Sequence, residues 1–437
     1  MKRHHNMNIG SEICRGCKSN NLFVGINLGE LPIANELYSN PMESFETFPL
    51  CLKICRDCGL GQVQDVVSPE RIFRDYRYLS STSTFFLNHA RDFVDELLSN
   101  GTVGADDWVL EIACNDGYLL RNFLEKDISC LGIEPASNVA LIAQELGIEV
   151  LNDFFTENLA RKLVSERGHP KLVIANNVLA HVPDIQDFMK GLSVLAGEKT
   201  VVSIENPSIL NILEEMQFDT IYHEHFSYLS ALAVRKIALE NNLVLFDLQE
   251  INAHGGSNRY WLARKESAAE IQEKVQHTVE RELSAGILER EVWDKTNSKV
   301  QKILQDFTNW LNAQTEAGKK VVGYGAAAKA STLINASLEI GNGLLAIADA
   351  SHEKQGRFMP KFNIPIISIN ELLKLKPNVV IVFPWNIKDE IVDSISPKLP
   401  ESVEFWVAVP EMLRIETVNS RSNHADNTTP VGLKVTK

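Results

Sequence analysis

Trp108-Val109-Leu110-Glu111-Ile112-Ala113-Cys114, followed by Asn115-Asp116-Gly117, decides the fold. An apolar run of strand length is broken by turn-forming residues, and residues 118–126 then take up helical spacing. The pattern repeats downstream. A strand over 130–133 ends at Glu134-Pro135, and a helix over 139–146, a strand over 148–151, a helix over 157–166 and a strand over 172–175 follow. Such alternation predicts an α/β chain with a parallel sheet wound by right-handed crossovers. The apolar run 200–205, closed by Asn206-Pro207, reads as a further buried strand, and a strand over 243–248 takes 260–263 as its partner.

Two positions give this sheet a cofactor. Gly117 opens a helix where backbone N–H groups and a bare Cα admit a ligand. Glu134 ends the second strand, where a carboxylate accepts hydrogen bonds from both hydroxyls of a ribose. The first turn lacks G-x-G-x-x-G, so nothing there cradles a pyrophosphate. S-adenosylmethionine, with a ribose and no phosphate, fits these residues.

Outward from the sheet, the 437 residues suggest about three domains. A net charge of -14 argues against a nucleic-acid partner, and no apolar run is long enough to cross a bilayer. Residues 1–10 carry no apolar signal segment, so a cytoplasmic protein is expected. The seven cysteines include two C-x-x-C pairs, Cys14/Cys17 and Cys55/Cys58. Each pair presents two thiolates on one tight turn, and together they supply the four soft ligands of a closed structural zinc site. Cys51 falls outside that spacing. Tyr76-Arg77-Tyr78-Leu79-Ser80-Ser81-Thr82-Ser83-Thr84 leads into a helix over 85–99, and reads either as a strand end with a helix cap or as the wall of a polar pocket.

The polar tetrad Tyr222-His223-Glu224-His225 lies on a loop between the strand at 200–205 and a helix over 231–242. His181, in Asn176-Asn177-Val178-Leu179-Ala180-His181-Val182-Pro183-Asp184, follows the fourth strand at the carboxyl edge, where open α/β sheets bind ligands. It is either a core or capping histidine or one that faces the reacting centre. Residues 268–317 read as two helices interrupted at Ser284-Ala285-Gly286. A new strand–turn–helix unit then begins at Lys319, with Gly325, Ala326 and Lys329 at the helix start, a suitable place for a pyrophosphate. The strand 379–382 ends at Phe383-Pro384-Trp385-Asn386, which brings an aromatic face.

Taken in order, these motifs resemble those of the S-adenosylmethionine-dependent sugar C-methyltransferases, which act on nucleotide-linked 4-keto deoxysugars. Both C-x-x-C pairs, residues 76–83 and 111–117, Gly132-Ile133-Glu134-Pro135, Asn177 with His181-Val182-Pro183-Asp184, the tetrad, His254-Gly255-Gly256-Ser257 and Gly323-Tyr324-Gly325-Ala326 carry the likeness. The resemblance implies a zinc-binding domain over 11–75, a Rossmann-like (class I) methyltransferase core over 76–265, a helical connector over 266–318, a C-terminal Rossmann-like domain over 319–415 and a flexible tail over 416–437. It implies zinc at Cys14, Cys17, Cys55 and Cys58. Cofactor contacts fall at Tyr78, Ser83, Glu111, Ala113, Asn115, Asp116, Gly117, Glu134 and Asn177. Contacts to a nucleotide-linked sugar fall at Tyr76, His254, Gly255, Gly256, Gly325, Ala326, Lys329 and Trp385.

Forming a C–C bond from a sulfonium methyl requires a carbon nucleophile, made by removing a proton beside a ketone. The tetrad, its place at a strand end and the resemblance assign that task at C-3 to His225. Tyr222 and His181 would donate to the C-4 oxygen, and Glu224 would orient His225 or touch the sugar. The sequence leaves open the exchange of roles between Tyr222 and His225, the oligomeric state (a monomer included), and two other chemistries: sugar O- or N-methylation, and nucleotide-sugar oxidoreduction in the C-terminal unit.

Overall fold

A computed structural model describes residues 13–41, 43–64, 67–68, 71, 79–253, 255–267, 269–337 and 343–416. Its contacts gather into two units. Among the described residues, the first holds those up to Asn27, those of Leu50–Glu215 and those of His223–Asn297; the second holds those of Leu28–Pro49, Met216–Tyr222 and those from Ser298 to Glu416. The strands in chain order are β1 (Leu22–Leu31), β2 (Phe48–Cys55), β3 (Gly61–Gln62), β4 (Trp108–Ile112), β5 (Ser129–Ile133), β6 (Glu149–Leu151), β7 (Leu172–Asn176), β8 (Val201–Pro207), β9 (Ser227–Tyr228), β10 (Leu243–Ile251), β11 (Ser257–Arg264), β12 (Val321–Tyr324), β13 (Leu344–Ala348), β14 (Ile366–Ile367), β15 (Val379–Val382), β16 (Glu404–Val407) and β17 (Leu413–Ile415).

The first unit is organised by a seven-stranded sheet in the order β10-β11-β8-β7-β4-β5-β6. β6, β5, β4, β7 and β8 run parallel, and β11 is inserted antiparallel to both β8 and β10. The parallel strands are apolar on both sides because both sides are covered. Val109 and Ile174 face one core with Phe93 and Phe123, whereas Leu110 and Val173 face the other with Phe188 and Leu192. The sequence reading closed the strand at Glu205. The ladder with β11 carries it on, pairing Asn206 with Asn258 and Pro207 with Ser257.

Side chains set the helix starts. Thr156 and Ser230 accept the N–H groups of Leu159 and Ala233, and Asp184 accepts those of Gln186 and Asp187. Each such cap contributes about 1 kcal/mol. The helix Ala231–Glu240 gains a second cap from the buried Glu282, whose carboxylate accepts the Ala231 and Leu232 N–H groups at 2.7 and 3.0 Å. Burial pushes that carboxyl up to about 7.

A small sheet, β1-β2-β3-β9, carries the cysteine knuckles at one end. Its last strand is the segment that follows the tetrad: Gly61 pairs with Tyr228 and Gln62 with Ser227. The metal-binding sheet thus fixes the register of the loop that ends in His225.

The second unit has a six-stranded sheet, β14-β13-β12-β15-β16-β17. Counted in chain order its strands read 3-2-1-4-5-6, with all but β17 parallel, which is the doubly wound order of nucleotide-binding sheets. Its ligand crevice by topology lies between the carboxyl ends of β12 and β15, at Gly325 and Phe383-Pro384-Trp385. In the seven-stranded sheet the corresponding switch point lies between β4 and β7.

Candidate active site and metal centre

The turn after β4 is wound tightly. Ala113, Asn115 and Gly117 have φ of +57°, +51° and +78°. Two L-residues in the left-handed region store strain of the kind found at ligand sites. A Cβ on Gly117 would stand 2.4 Å from Ile148 Cδ1, so glycine is required there by packing as well as by φ. Asn115 Oδ1 accepts the Ser80 N–H at 2.9 Å and Asp116 Oδ2 accepts the Ser81 N–H at 3.1 Å, which fastens the Ser80–Thr82 turn over this loop. Ser83 caps the helix Thr84–Ser99, accepting the Phe86 N–H; its own hydroxyl hydrogen is not used by that bond.

The acids of the crevice are buried together. Glu134 accepts the Asn115 N–H at 3.0 Å on one oxygen and the Ala136 N–H at 2.8 Å on the other, which leaves a second lone pair on each. Glu111 Oε2, Asp116 Oδ1 and Asn177 Oδ1 are buried with no hydrogen-bond partner among the described residues. Desolvation first, then the charges of Asp116 and Glu134, push the Glu111 carboxyl well above the usual carboxylate range. Desolvation also raises Glu134. A rim rich in acceptors and negative charge suits a ligand that brings hydroxyl donors, an ammonium and a sulfonium. S-adenosylmethionine is such a ligand and the residues fit it.

Beyond β7, Asn177 also has a positive φ, +55°, and its N–H meets the Glu205 carbonyl at 2.6 Å. His181 lies in the short turn Leu179–His181. Its Nδ1 is 2.8 Å from the Glu224 carbonyl oxygen. A carbonyl only accepts, so Nδ1 carries the ring proton. Desolvation lowers the His181 pKa to about 4, so at neutral pH the ring is uncharged and Nε2 is an acceptor. That departs from the expectation that His181 donates to a substrate oxygen. The His181 and His225 rings meet edge to face with centroids 4.6 Å apart, and His225 packs on Tyr228 at 5.9 Å. His225 is half-buried; His223 and Glu224 are buried.

Next to this pair the zinc knuckle acts as a brace. Arg15, between Cys14 and Cys17, donates to the Pro183 and Val63 carbonyls at 3.1 and 2.7 Å, and its guanidinium lies 5.6 Å from the Phe226 ring centroid. Pro183 is two residues from His181, and Phe226 adjoins His225. The four sulfurs of Cys14, Cys17, Cys55 and Cys58 all lie within 4.8 Å of one another, and the Cys14–Cys58 and Cys17–Cys55 pairs are 3.6 Å apart. Tetrahedral zinc with ~2.3 Å bonds places its sulfurs about 3.8 Å apart. Contact among the thiols pulls Cys55 down to about 2 and raises Cys14 and Cys58, a charge conflict that a dication removes. Cys51 stands outside the cluster, as the spacing indicated.

The sequence reading passed over a buried group in this unit. Glu205 lies 3.0 Å from His89 Nε2 and 2.7 Å from the Arg259 guanidinium, which also stacks 3.7 Å from the Phe93 centroid. The signal was a carboxylate closing an apolar strand and an arginine inside another, facing it in register. Asn211 Nδ2 donates to the Gly255 and Gly256 carbonyls, which shapes that turn. Tyr76, Tyr78, His254 and the tail from residue 417 lie outside the described residues.

In the second unit, Gly325 has φ +89°, and a Cβ there would stand 2.4 Å from Pro384. The Lys329 ammonium, in the first turn of the helix Ala328–Ala336, lies 3.9 Å from the Trp385 ring centroid and donates to Asn386 Oδ1 at 2.9 Å. The Trp385 indole N–H donates to Asp219 Oδ2 at 2.8 Å. Desolvation lowers the Lys329 pKa to about 8 and raises that of Asp219 to about 6. Tyr222 belongs to this unit, whereas His223, Glu224 and His225 belong to the first.

Fold and site together define an S-adenosylmethionine-dependent methyltransferase. Three family models match in succession: a zinc binding domain over residues 14–73, a methyltransferase domain over 84–248, and a C-methyltransferase C-terminal domain over 252–410. The C-methyltransferase NovU of Streptomyces niveus is 29% identical over 401 residues, 91% of this chain and 95% of that one. Among solved structures, magnesium protoporphyrin IX methyltransferase from Synechocystis is 15% identical, with 41% of this chain and 79% of that chain covered and a TM-score of 0.32. A possible histamine N-methyltransferase from Thermotoga maritima is 15% identical, with 43% and 95% covered and a TM-score of 0.31. Over most of its length the chain is thus similar to a C-methyltransferase, with a zinc binding domain matched at its N-terminal end. Among the described residues no helix is long and apolar enough to cross a membrane.

Proposed function

We propose that the protein methylates C-3 of a nucleotide-linked 4-keto-deoxyhexose, with thymidine diphosphate as the nucleotide. The observation that carries this reading is the edge-to-face pair of His181 and His225 at the carboxyl edge of the methyltransferase sheet. Two imidazoles, one fixed as the Nδ1–H tautomer by a backbone carbonyl, suit the removal of a proton from carbon that C-methylation requires.

In this reading His225 takes the C-3 proton. His181, neutral, is an acceptor that orients its neighbour. Glu224 contributes its carbonyl to fix His181, and Tyr222 supplies the O–H that meets the charge developing on the C-4 oxygen. Bound S-adenosylmethionine supplies the electrophilic methyl, and Glu134, Asp116 and Asn177 hold its ribose and amino acid ends. In the second unit the helix start at Gly325–Lys329 and the Trp385 ring receive the diphosphate and base, because a lysine at a helix N-terminus favours an anion.

The test is proton exchange in deuterated buffer, with S-adenosylhomocysteine in place of the methyl donor. The C-3 hydrogen of the thymidine diphosphate 4-keto-6-deoxyhexose should wash out at a rate that His225→Ala abolishes. Retention of that hydrogen by the wild-type protein, together with methyl transfer to an oxygen or nitrogen when the donor is restored, would replace this reading with O- or N-methylation.

A further inference from the structure

The segment Met216–Tyr222 ends in a proposed catalytic group and is clasped by the elements proposed to take the diphosphate. Thr332, on the helix Ala328–Ala336, donates from Oγ1 to the Ile221 carbonyl at 2.9 Å. Trp385, on the loop after β15, donates its indole N–H to Asp219. Asp219 is 1% exposed, and its other oxygen, Oδ1, is buried with no hydrogen-bond partner among the described residues. A buried carboxylate met only by neutral donors, here the Trp385 indole and nearby backbone N–H groups, is poorly compensated and draws on any nearby cation. The cation acting on it is Lys329, and Asp219 is in turn the charge that acts on Lys329. The same Trp385 therefore touches both, its N–H on Asp219 and its ring face under Lys329.

We propose that Asp219 is a positioning residue that shares the Lys329 ammonium with the diphosphate of the substrate. Arrival of the nucleotide end is thereby registered by the segment that carries Tyr222. This rests on the assignment of a nucleotide-linked substrate. One lysine serves two anions in turn. Before binding, its charge offsets buried Asp219 and holds the segment against the helix. When a diphosphate is seated, the lysine is drawn to it and the hold on Asp219 is retuned. Tyr222 lies three residues further along the chain, so a small change in this hold reaches its hydroxyl. Misplacing a reacting group by about 1 Å costs roughly 10²-fold in rate.

Two consequences have opposite signs, and a purely structural role does not produce both. Asp219→Asn keeps the shape of the side chain and an acceptor for Trp385, but removes the competing charge. It should bind thymidine diphosphate glucose, a non-ketone analogue, about threefold to tenfold more tightly, the scale of one partly screened charge. It should also lose roughly 10- to 100-fold in kcat on the ketosugar. Lys329→Met should weaken analogue binding, and in that background the Asp219→Asn change should no longer tighten it, a coupling read by a double-mutant cycle. Titration calorimetry with the full-length protein gives the affinities, and a matching melting temperature shows that each variant is folded.

Analogue binding by Asp219→Asn that equals or falls below wild type overturns the sharing of Lys329. So does tightening that persists without Lys329. Wild-type kcat in Asp219→Asn overturns the positioning role. No analogue binding by the wild-type protein overturns the nucleotide assignment itself and this inference with it, an outcome distinct from the others.

Discussion

Glu134 and Asp349 each follow the second strand of their sheet, and each accepts one N–H from the first turn and one from the residue two places on. For Glu134 these come from Asn115 and Ala136 at 3.0 and 2.8 Å; for Asp349 they come from Ala326 and Ser351, both at 2.8 Å. The surroundings then diverge. Around Glu134 the ionisable neighbours are acidic, Glu111 and Asp116, and they keep unpartnered oxygens. Beside Asp349 stands Lys354, 3.5 Å away, which also donates to the Ala326 carbonyl at 2.9 Å. One topology therefore makes two sites of opposite sense. The first leaves its acid available to ligand donors and so suits a cationic nucleoside. The second neutralises its acid from within and offers Lys329 instead, which suits an anion. The comparison also removes the physical support for a nicotinamide ribose at Asp349, whose oxygens are already taken by two N–H groups and a lysine.

The largest effect that sharpens this contrast concerns stability. Only the first unit has the four-thiolate cluster, and metal binding supplies on the order of 10 kcal/mol in small zinc modules. Cys55→Ser, or chelation, should split the calorimetric melt, lowering the transition of the first unit and leaving that of the second near its original temperature. A single melt shifted as a whole would show that the units do not divide the stability as described.

His225→Ala should lower kcat by roughly 10²- to 10⁴-fold, with S-adenosylmethionine affinity within about twofold of wild type. Glu134→Gln should weaken S-adenosylmethionine about tenfold by calorimetry, because hydrogen bonds to a charged group are the stronger kind. Asp349→Asn should leave that affinity unchanged. Equal effects of the two substitutions on the cofactor would break the comparison.

The smallest expected effect is on pH dependence. Binding of thymidine diphosphate glucose, whose doubly esterified diphosphate keeps its charge, should weaken as pH rises through about 8, where Lys329 loses its proton. It should strengthen modestly as pH falls through about 6, where protonated Asp219 ceases to compete. The acid limb should vanish in Asp219→Asn.

Much of this was legible in the sequence because it is written in local patterns. Apolar runs alternating with helical spacing gave the parallel strands of the first sheet to within a residue or two, whereas β10 and β11 each run three residues beyond the reading. The C-x-x-C spacing gave the four sulfurs, since two tight turns leave a metal few other ligands. The tetrad marked a reactive loop. What was not legible depends on register between distant strands. Glu205 and Arg259 are 54 positions apart, and only the β8–β11 ladder sets them opposite each other. Arg15 reads as a knuckle residue until the fold brings Pro183 and Phe226 to it. Asp219 looks like an ordinary turn acid until Trp385, 166 positions on, closes over it. The proton on His181 likewise depends on a carbonyl 43 positions away. The protonation state of a histidine is a property of its neighbours, and the sequence does not list them in order.

Product structure tests the central claim most directly. Wild-type protein, S-adenosylmethionine carrying a 13C-methyl group and a thymidine diphosphate 4-keto-6-deoxyhexose should yield a sugar whose labelled methyl is bonded to C-3, seen as a carbon–carbon coupling in the 13C spectrum. A label found on oxygen or nitrogen, or left on the donor across a panel of nucleotide-linked 4-ketosugars, would contradict it.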